Sequence, residues 1–234
     1  MRLSQGIRQH SRQQQDEVSQ IMRAFDSMVE KFGGFDGVPL LLLRIFLAPI
    51  MIYAGLGKLQ LGADVGFFQQ FLVDPNVMAW FGNPDWGLGL PMPGLLAFLA
   101  AWTELLGGWL LVLGLYTRLV SLPLMFTMAV AAGTAHWDNG WHTFPEAKLT
   151  VPWEWRTDLI EEGNQRKAAA IQVLKNHGNY QWLTEAGSIT VLKGGIEFAA
   201  TYFIMLLVLF FYGGGRYVSL DYWLAERYRR NTLS

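Results

Sequence analysis

The sequence predicts an all-α integral membrane protein: an antiparallel four-helix bundle, with an amphipathic helix before the first span and a helical extramembrane insert between spans three and four. Three observations predict it. Four apolar stretches, Val38–Leu56, Pro93–Leu115, Leu119–Trp137 and Ile196–Tyr212, are each about long enough to cross a ~30 Å hydrocarbon core at ~1.5 Å per residue. Each holds or adjoins an ionisable residue: Arg44 and Lys58 for the first, Glu104 for the second, His136 for the third, Glu197 for the fourth. A charge at membrane depth costs on the order of 2.5–3.5 kcal/mol on insertion scales, so such residues turn toward a bundle interior. Lysine and arginine, finally, are segregated among the connecting segments.

Composition narrows the function classes. With 52% hydrophobic and 16% charged residues, the chain reads as one membrane domain with modest extramembrane segments. A net charge of −1 and no long basic run give no support to nucleic-acid binding. There is no cysteine, which excludes CxxC chemistry, thiolate-ligated iron–sulfur clusters and internal disulfides. Any redox role must use a cofactor or a partner.

In chain order, residues 1–37 form a cytoplasmic amphipathic segment. Ile21, Phe25, Met28, Val29 and Phe32 recur at helical spacing among Arg23, Asp26, Glu30 and Lys31, the pattern of a helix lying on a membrane surface. No apolar signal-type region precedes it, so the N-terminus reads as retained. Spans one to three occupy residues 38–137. The first loop, residues 59–92, has no Lys or Arg. The N-terminal segment (Arg2, Arg8, Arg12, Arg23, Lys31), the turn at Arg118 and the tail (Arg216, Arg227, Arg229, Arg230) carry the basic residues. Both termini are therefore expected in the cytoplasm. Phe67, Phe68, Phe71, Leu72, Trp80, Phe81 and Trp86 make the first loop too apolar for a free loop, and predict an interfacial or re-entrant segment. The insert, residues 138–195, has mixed charge and is placed outside. Within it Thr157–His177 reads as a helix with Ile160, Ile171 and Leu174 on one face, stopped by Gly178-Asn179. Tyr180, Trp182 and Leu183 follow, suited to dock back on the membrane. Span four, residues 196–212, ends at Gly213-Gly214-Gly215-Arg216. In the tail, residues 213–234, Asp221 is expected to cap Tyr222–Tyr228.

Helical spacing puts the polar groups on faces. Arg44, Ala48, Met51, Gly55 and Lys58 form one stripe; Ala97, Ala101, Glu104 and Gly108 another; Ser121, Met125, Met128, Ala132 and His136 a third; Glu197, Thr201, Ile204 and Val208 a fourth. Counting ~1.5 Å per residue from the cytoplasmic ends puts Arg44 ~10 Å deep and Glu104 ~16 Å deep, which predicts an Arg44–Glu104 ion pair. Glu197, His136 and Lys58 fall at ~24, ~27 and ~31 Å and predict an outer polar layer. Next to it, the Asn139-Gly140 turn suits a reversal that gathers His136, Asp138 and His142. Imidazole and carboxylate suit copper, zinc or iron, although two histidines six apart match no standard metal spacing; interfacial tryptophans and hydrogen-bonded histidines are the alternative reading. Met125 lies ~16 Å along the helix from His136, so Met125 and Met128 read as packing. No Walker motif, nucleophile elbow or HExxH is present.

Taken together these residues resemble the DoxX family of small four-span membrane proteins. The resemblance lies in Arg44, Leu47-Ala48 and Gly57-Lys58; in Glu104, Gly107-Gly108, Leu111, Gly114 and Leu115-Tyr116-Thr117-Arg118; and in Gly213-Gly214-Gly215-Arg216 with Ser219-Leu220-Asp221. The insert pieces His136-Trp137-Asp138-Asn139-Gly140-Trp141, Glu162-Gly163-Asn164, His177–Glu185 and Gly195-Ile196-Glu197-Phe198 resemble the HvfX-like branch, associated with maturation of copper-binding ribosomal peptides. The resemblance implies a multi-pass protein of a bacterial inner membrane, in contact with the bilayer and with a copper-binding peptide or its maturation proteins. Other branches imply quinone-linked sulfur oxidation or partnership with oxidative-stress enzymes.

The resulting expectation is an accessory protein in copper or copper-peptide handling. Lys58, Glu197, Arg44 and Glu104 are its candidate ligand-binding residues and His136, Asp138 and His142 its candidate metal ligands. A quinone-linked redox subunit, with quinone as cofactor, and a non-catalytic scaffold are the rivals. A homo-oligomer is compatible with the sequence. No motif fixes a reaction, and the chain reads as an accessory protein rather than an enzyme.

Overall fold

A computed structural model describes residues 19–20, 22–27, 33–145 and 150–233. Its elements are α1 (Gly37–Leu56), α2 (Pro75–Gly82), α3 (Pro93–Leu113), α4 (Thr117–Ala131), α5 (Thr157–His177), α6 (Tyr180–Thr184), α7 (Glu197–Tyr212) and α8 (Leu220–Leu233). The described residues contain no strand, only an antiparallel bridge between Leu59 and Val73.

α1 packs on α3, α3 on α4, α4 on α7, and α7 back on α1, so the four apolar helices close a ring. Neighbours run antiparallel: Gly55 of α1 meets Ala101 and Leu105 of α3, while Gly108 meets Ala48 and Ile52. The fold is a helical membrane bundle. Gly33–Leu56, Pro93–Leu113 and Thr117–Asn139 are long and apolar enough to cross a bilayer. The fourth, Glu197–Tyr212, has 16 residues and a length of ~24 Å, so it is short of the ~30 Å core. Leu47, Met51, Leu111, Leu124, Leu206 and Leu209 are fully buried at the bundle centre, with Met125 and Met128 packed beside them. The outer faces carry exposed Leu42, Phe46, Leu106, Trp109, Phe126 and Phe211, which suits lipid contact.

Three of the four expected interior stripes are buried where α1, α3 and α4 meet, with Lys58 half-buried at the end of the first and Ala132 and His136 at the end of the third. The fourth is not. Thr201 and Ile204 face outward, and α7 buries Ala199, Leu206 and Leu209 instead. Glu197 misled the phase because it sits in the first turn, where its carboxylate reaches up to the Thr143 N–H at 3.1 Å rather than inward.

The amphipathic segment is seen only in part: residues 22–27 are helical and exposed, whereas Ile21, Met28, Val29 and Phe32 lie outside the described residues. The first loop folds into a tight turn at Gln69–Phe71 and the short α2, with Phe67 and Phe68 exposed at its tip. α5 spans Thr157–His177, and Gly178 stops it in an extended rather than left-handed conformation. Asn139-Gly140 turns as expected, with Gly140 at φ 76°.

Candidate functional site

The expected Arg44–Glu104 pair does not form; each residue has another partner. Glu104 lies on the small-residue face of α3, where Gly55 brings the α1 backbone into contact. A Cβ on Gly55 would lie 2.6 Å from Leu105 N and 2.7 Å from Ala101 O. Glu104 is thereby almost fully buried, and its carboxylate takes an ion pair from Lys58. Lys58 stands just beyond α1, and its stem turns back so that Nζ also donates to Ala54 O at 3.0 Å. Counting from Cα positions missed this snorkelling, which moves the charge several ångströms toward the bundle centre. Lys58 retains one-fifth of its side-chain exposure, so the pair touches the outside through the lysine. Beside it, Trp102 lies between Phe71, stacked at 6.3 Å, and Phe98, tilted at 6.2 Å, and its buried Nε1–H has no partner among the described residues. A cavity of about 440 Å³ runs along Phe98 between Gln60, Leu72, Met78 and Leu95.

Arg44 lies two helical turns away, at the level of Leu111. Its guanidinium donates to Leu111 O (2.9 Å), Val112 O (3.3 Å) and Val218 O (2.7 Å). Leu111 and Val112 are among the last carbonyls of α3, where the helix dipole favours a cation. Gly114 ends α3 at φ 63°, and Leu115 N–H closes back on Leu110 O at 3.0 Å. A Cβ at Gly114 would sit 2.3 Å from Arg44 Nη1, so only glycine leaves room. Separation also rules out the pair: Glu104 and Leu111 are seven residues, ~10 Å, apart on one helix.

The outer layer divides. Lys58 belongs to Glu104, while His136, Glu197 and His142 belong to the join between α4, the insert and α7. Past Ala131 the third span loosens into a π turn, Ala132–His136, and then a 3-10 turn, Trp137–Asn139. His136 Nδ1 meets Gly194 O at 2.7 Å. The two chain segments are then laced by backbone bonds, Ile196 N–H to Gly140 O (2.9 Å) and Glu197 N–H to Trp141 O (3.0 Å). Glu154 sits at the centre. It accepts from the backbone N–H of Trp141 (3.1 Å), His142 (2.9 Å) and Arg156 (2.8 Å), from His142 Nδ1 (2.8 Å) and from Lys193 Nζ (2.8 Å). Burial alone would raise its pKa, but these donors outweigh burial and hold the carboxyl well below the usual carboxylate range. Gly140 is required here as well, since a Cβ would stand 2.2 Å from Glu154 Oε1.

His136, Asp138 and His142 are not gathered into a ligand set. His142 is buried with both ring nitrogens engaged, Nδ1 by Glu154 and Nε2 by Thr150 Oγ1 at 2.8 Å. Asp138 is exposed, and its backbone carbonyl holds Arg156. Among the described residues no group of three or more His, Cys, Asp or Glu side chains could hold a metal ion. Sequence reasoning missed Glu154 and Lys193. The available signal was an acid set between Trp153 and Trp155 and a lysine before Gly194-Gly195, in a segment read only for its helix. Asp221 was assigned to the wrong helix: its carboxylate accepts from Tyr116 N–H (2.6 Å) and Thr117 N–H (2.8 Å), capping α4, while Ser219 Oγ accepts from Tyr222 N–H (3.3 Å) at α8.

The DoxX family model matches residues 39–137. That stretch is similar to the DoxX family. It holds Arg44, Lys58, Glu104 and His136, and it ends before Asp138, the insert and the fourth apolar helix. Neither the curated proteins nor the solved structures contain a match to the chain. The chain is thus similar to the DoxX family over its first three apolar helices, with a bilayer as the natural surrounding of those helices.

Proposed function

We propose that this protein is a DoxX-type membrane accessory subunit in the handling or maturation of a copper-binding peptide, and that its ligand-responsive centre is Lys58–Glu104. In this reading the insert faces the outside of a bacterial inner membrane and both termini face the cytoplasm. The observation that carries it is the ion pair itself: an acid and a base inside a bundle, partly open through Lys58, mark a functional centre in membrane proteins. The copper association comes from the likeness of the insert to the HvfX-like branch. The engaged ring nitrogens of His142 and the exposed Asp138 do not suit copper carriage by this chain. Engagement of the peptide or its maturation proteins is the role these positions support. The test is copper content of the purified protein after Cu(I) and Cu(II) loading, beside copper tolerance of cells carrying variants. The expected result is no stoichiometric copper, tolerance kept in His136→Ala and lost in Lys58→Met. Stoichiometric copper that disappears in His136→Ala/His142→Ala would overturn the assignment.

A second reading, a quinone-linked redox subunit, is favoured by the Trp102 Nε1–H, unpartnered among the described residues, within its aromatic frame two residues from Glu104. A quinone would supply the two-electron chemistry that a cysteine-free chain lacks, with Lys58 and Glu104 as candidates to hold its polar head. Mild extraction followed by lipid analysis decides it: quinone retained by the parent and lost in Glu104→Gln supports this reading, and no retained quinone removes it.

A further inference from the structure

At the end of the bundle opposite the insert, a cleft of about 630 Å³ opens between the start of α1, the α3–α4 turn, the Gly213–Gly215 run and α8. Two arginines line it, Arg118 and Arg216, together with Tyr116, Tyr212 and Tyr222. The charges of this cleft are unevenly committed. Asp221 spends both carboxylate oxygens on the α4 backbone. Arg216 is bonded to Tyr222, lies over the Tyr217 ring at 5.0 Å and faces Asp36. Arg118 is exposed and has no side-chain hydrogen bond or ion pair among the described residues. Its guanidinium stem lies against Gly213, where a Cβ would approach Nε to 3.2 Å. Gly213, at φ 79°, thus serves both the sharp exit from α7 and the seat of the arginine. Around this cation stand exposed Leu119, Tyr116 and Tyr212, an apolar and amphipathic rim at the level where a membrane helix meets headgroups.

We propose that this cleft binds the phosphate of an anionic phospholipid, with Arg118 as its cation and Leu119 and Tyr212 against the first part of the acyl chain. An uncommitted arginine beside apolar walls at a helix-bundle rim fits a lipid phosphodiester, and anionic leaflets draw such basic positions. The apolar rim favours a lipid over a soluble phosphate compound. The site is independent of Lys58–Glu104, which lies at the other end of α1.

Native mass spectrometry of the full chain in detergent tests it, with phosphatidylglycerol, phosphatidylcholine, glycerol 3-phosphate and inorganic phosphate as probes. Phosphatidylglycerol is expected to bind in preference to phosphatidylcholine, and Arg118→Gln to lower its binding about fivefold, the effect of one basic residue at an anionic surface. Arg118→Lys should keep most of the preference. Arg118 is exposed, so these variants leave the fold intact, which helix content by circular dichroism checks. Equal binding of the two lipids, or a preference untouched by Arg118→Gln, would overturn the proposal. Glycerol 3-phosphate or phosphate competing as well as the lipid would assign the cleft to a soluble phosphate compound and overturn it too.

Discussion

Arg44 on α1 and Lys58 just beyond its end are fourteen residues apart in helical register, and the bundle neutralises them in opposite ways. Arg44 is fully buried and held by three backbone carbonyls, two of them from the last turn of α3. Lys58 is one-fifth exposed and held by a side-chain acid. Carbonyls do not titrate and do not leave, so the Arg44 end is a fixed lock joining α1, α3 and the segment before α8. A carboxylate can take a proton or exchange its partner, so the Lys58 end is the one that can respond to a ligand. The position of a charge in a membrane helix therefore says less about its role than the nature of its partner does.

The comparison breaks most sharply at the lock. Arg44→Ala orphans three acceptors, one buried and two part-buried, at about 1–3 kcal/mol each, so a loss on the order of 4 kcal/mol is expected. Thermal unfolding in detergent should show a large drop in midpoint or no folded protein. Near-parent stability would mean the lock is not structural. The ion pair should behave differently. Lys58→Met alone leaves Glu104 buried and unpaired and should cost on the order of 3 kcal/mol. Adding Glu104→Met, which replaces the whole pair by apolar side chains, should return stability to within about 1 kcal/mol of the parent. A double variant as unstable as the single would place Lys58–Glu104 with Arg44 as structure, and would remove the reason to seek a ligand there.

Much of this contrast was legible in the sequence, and the failures have physical causes. Glu104 could be placed inward because Ala97, Ala101 and Gly108 surround it with small residues, a pattern that only close helix approach explains. Arg44 and Lys58 could be put on one stripe from their spacing alone. Their partners could not be read, because pairing depends on where a flexible side chain ends rather than where its Cα starts. α7 shows the same limit. A terminal acid does not mark its interior face, and the apolar residues that set the face, Leu206 and Leu209, are indistinguishable by type from their neighbours. The His136–His142 segment, a candidate metal-ligand set by its residue types, supplies donors to Glu154, an acid twelve positions beyond His142.

The insert provides a third way to hold a charge, with an acid rather than a base at the centre, and its expected effect is smaller and local. Glu154→Ala withdraws the acceptor from five donors and should free the insert while leaving the bundle helices in place. Limited proteolysis should cut residues 150–195 at least tenfold faster, with the spans protected. Equal cutting would mean the insert is held by the Trp137–Trp155 and Trp141–Trp153 contacts instead. The pH dependence follows from the lowered pKa of Glu154. Its folded value lies below its unfolded one, so its contribution is fully present above the usual carboxylate range, roughly pH 4.3. It is lost only as pH falls through the lower folded value. Protection of the insert should be unchanged from pH 8 to 5 and should decline in stronger acid; a decline already near pH 6 would mean that Glu154 is not the group that holds the insert.

The smallest expected effect separates the lock from its surroundings. Asp221 donates its own N–H to Gly114 O at 2.9 Å and caps α4 with its carboxylate, so it lies within the same joint as Arg44. Were the joint an electrostatic unit, removing this acid would weaken Arg44 as well and cost as much as removing the arginine. Were it a set of backbone acceptors, the loss would be that of a helix cap, about 1 kcal/mol. The second is expected, because the guanidinium is hydrogen-bonded by carbonyls alone. Asp221→Ala measured beside Arg44→Ala, and then with it, distinguishes the two. Additive losses keep the carbonyls as the whole seat of Arg44, whereas a double variant no worse than Arg44→Ala would make Asp221 its counter-ion.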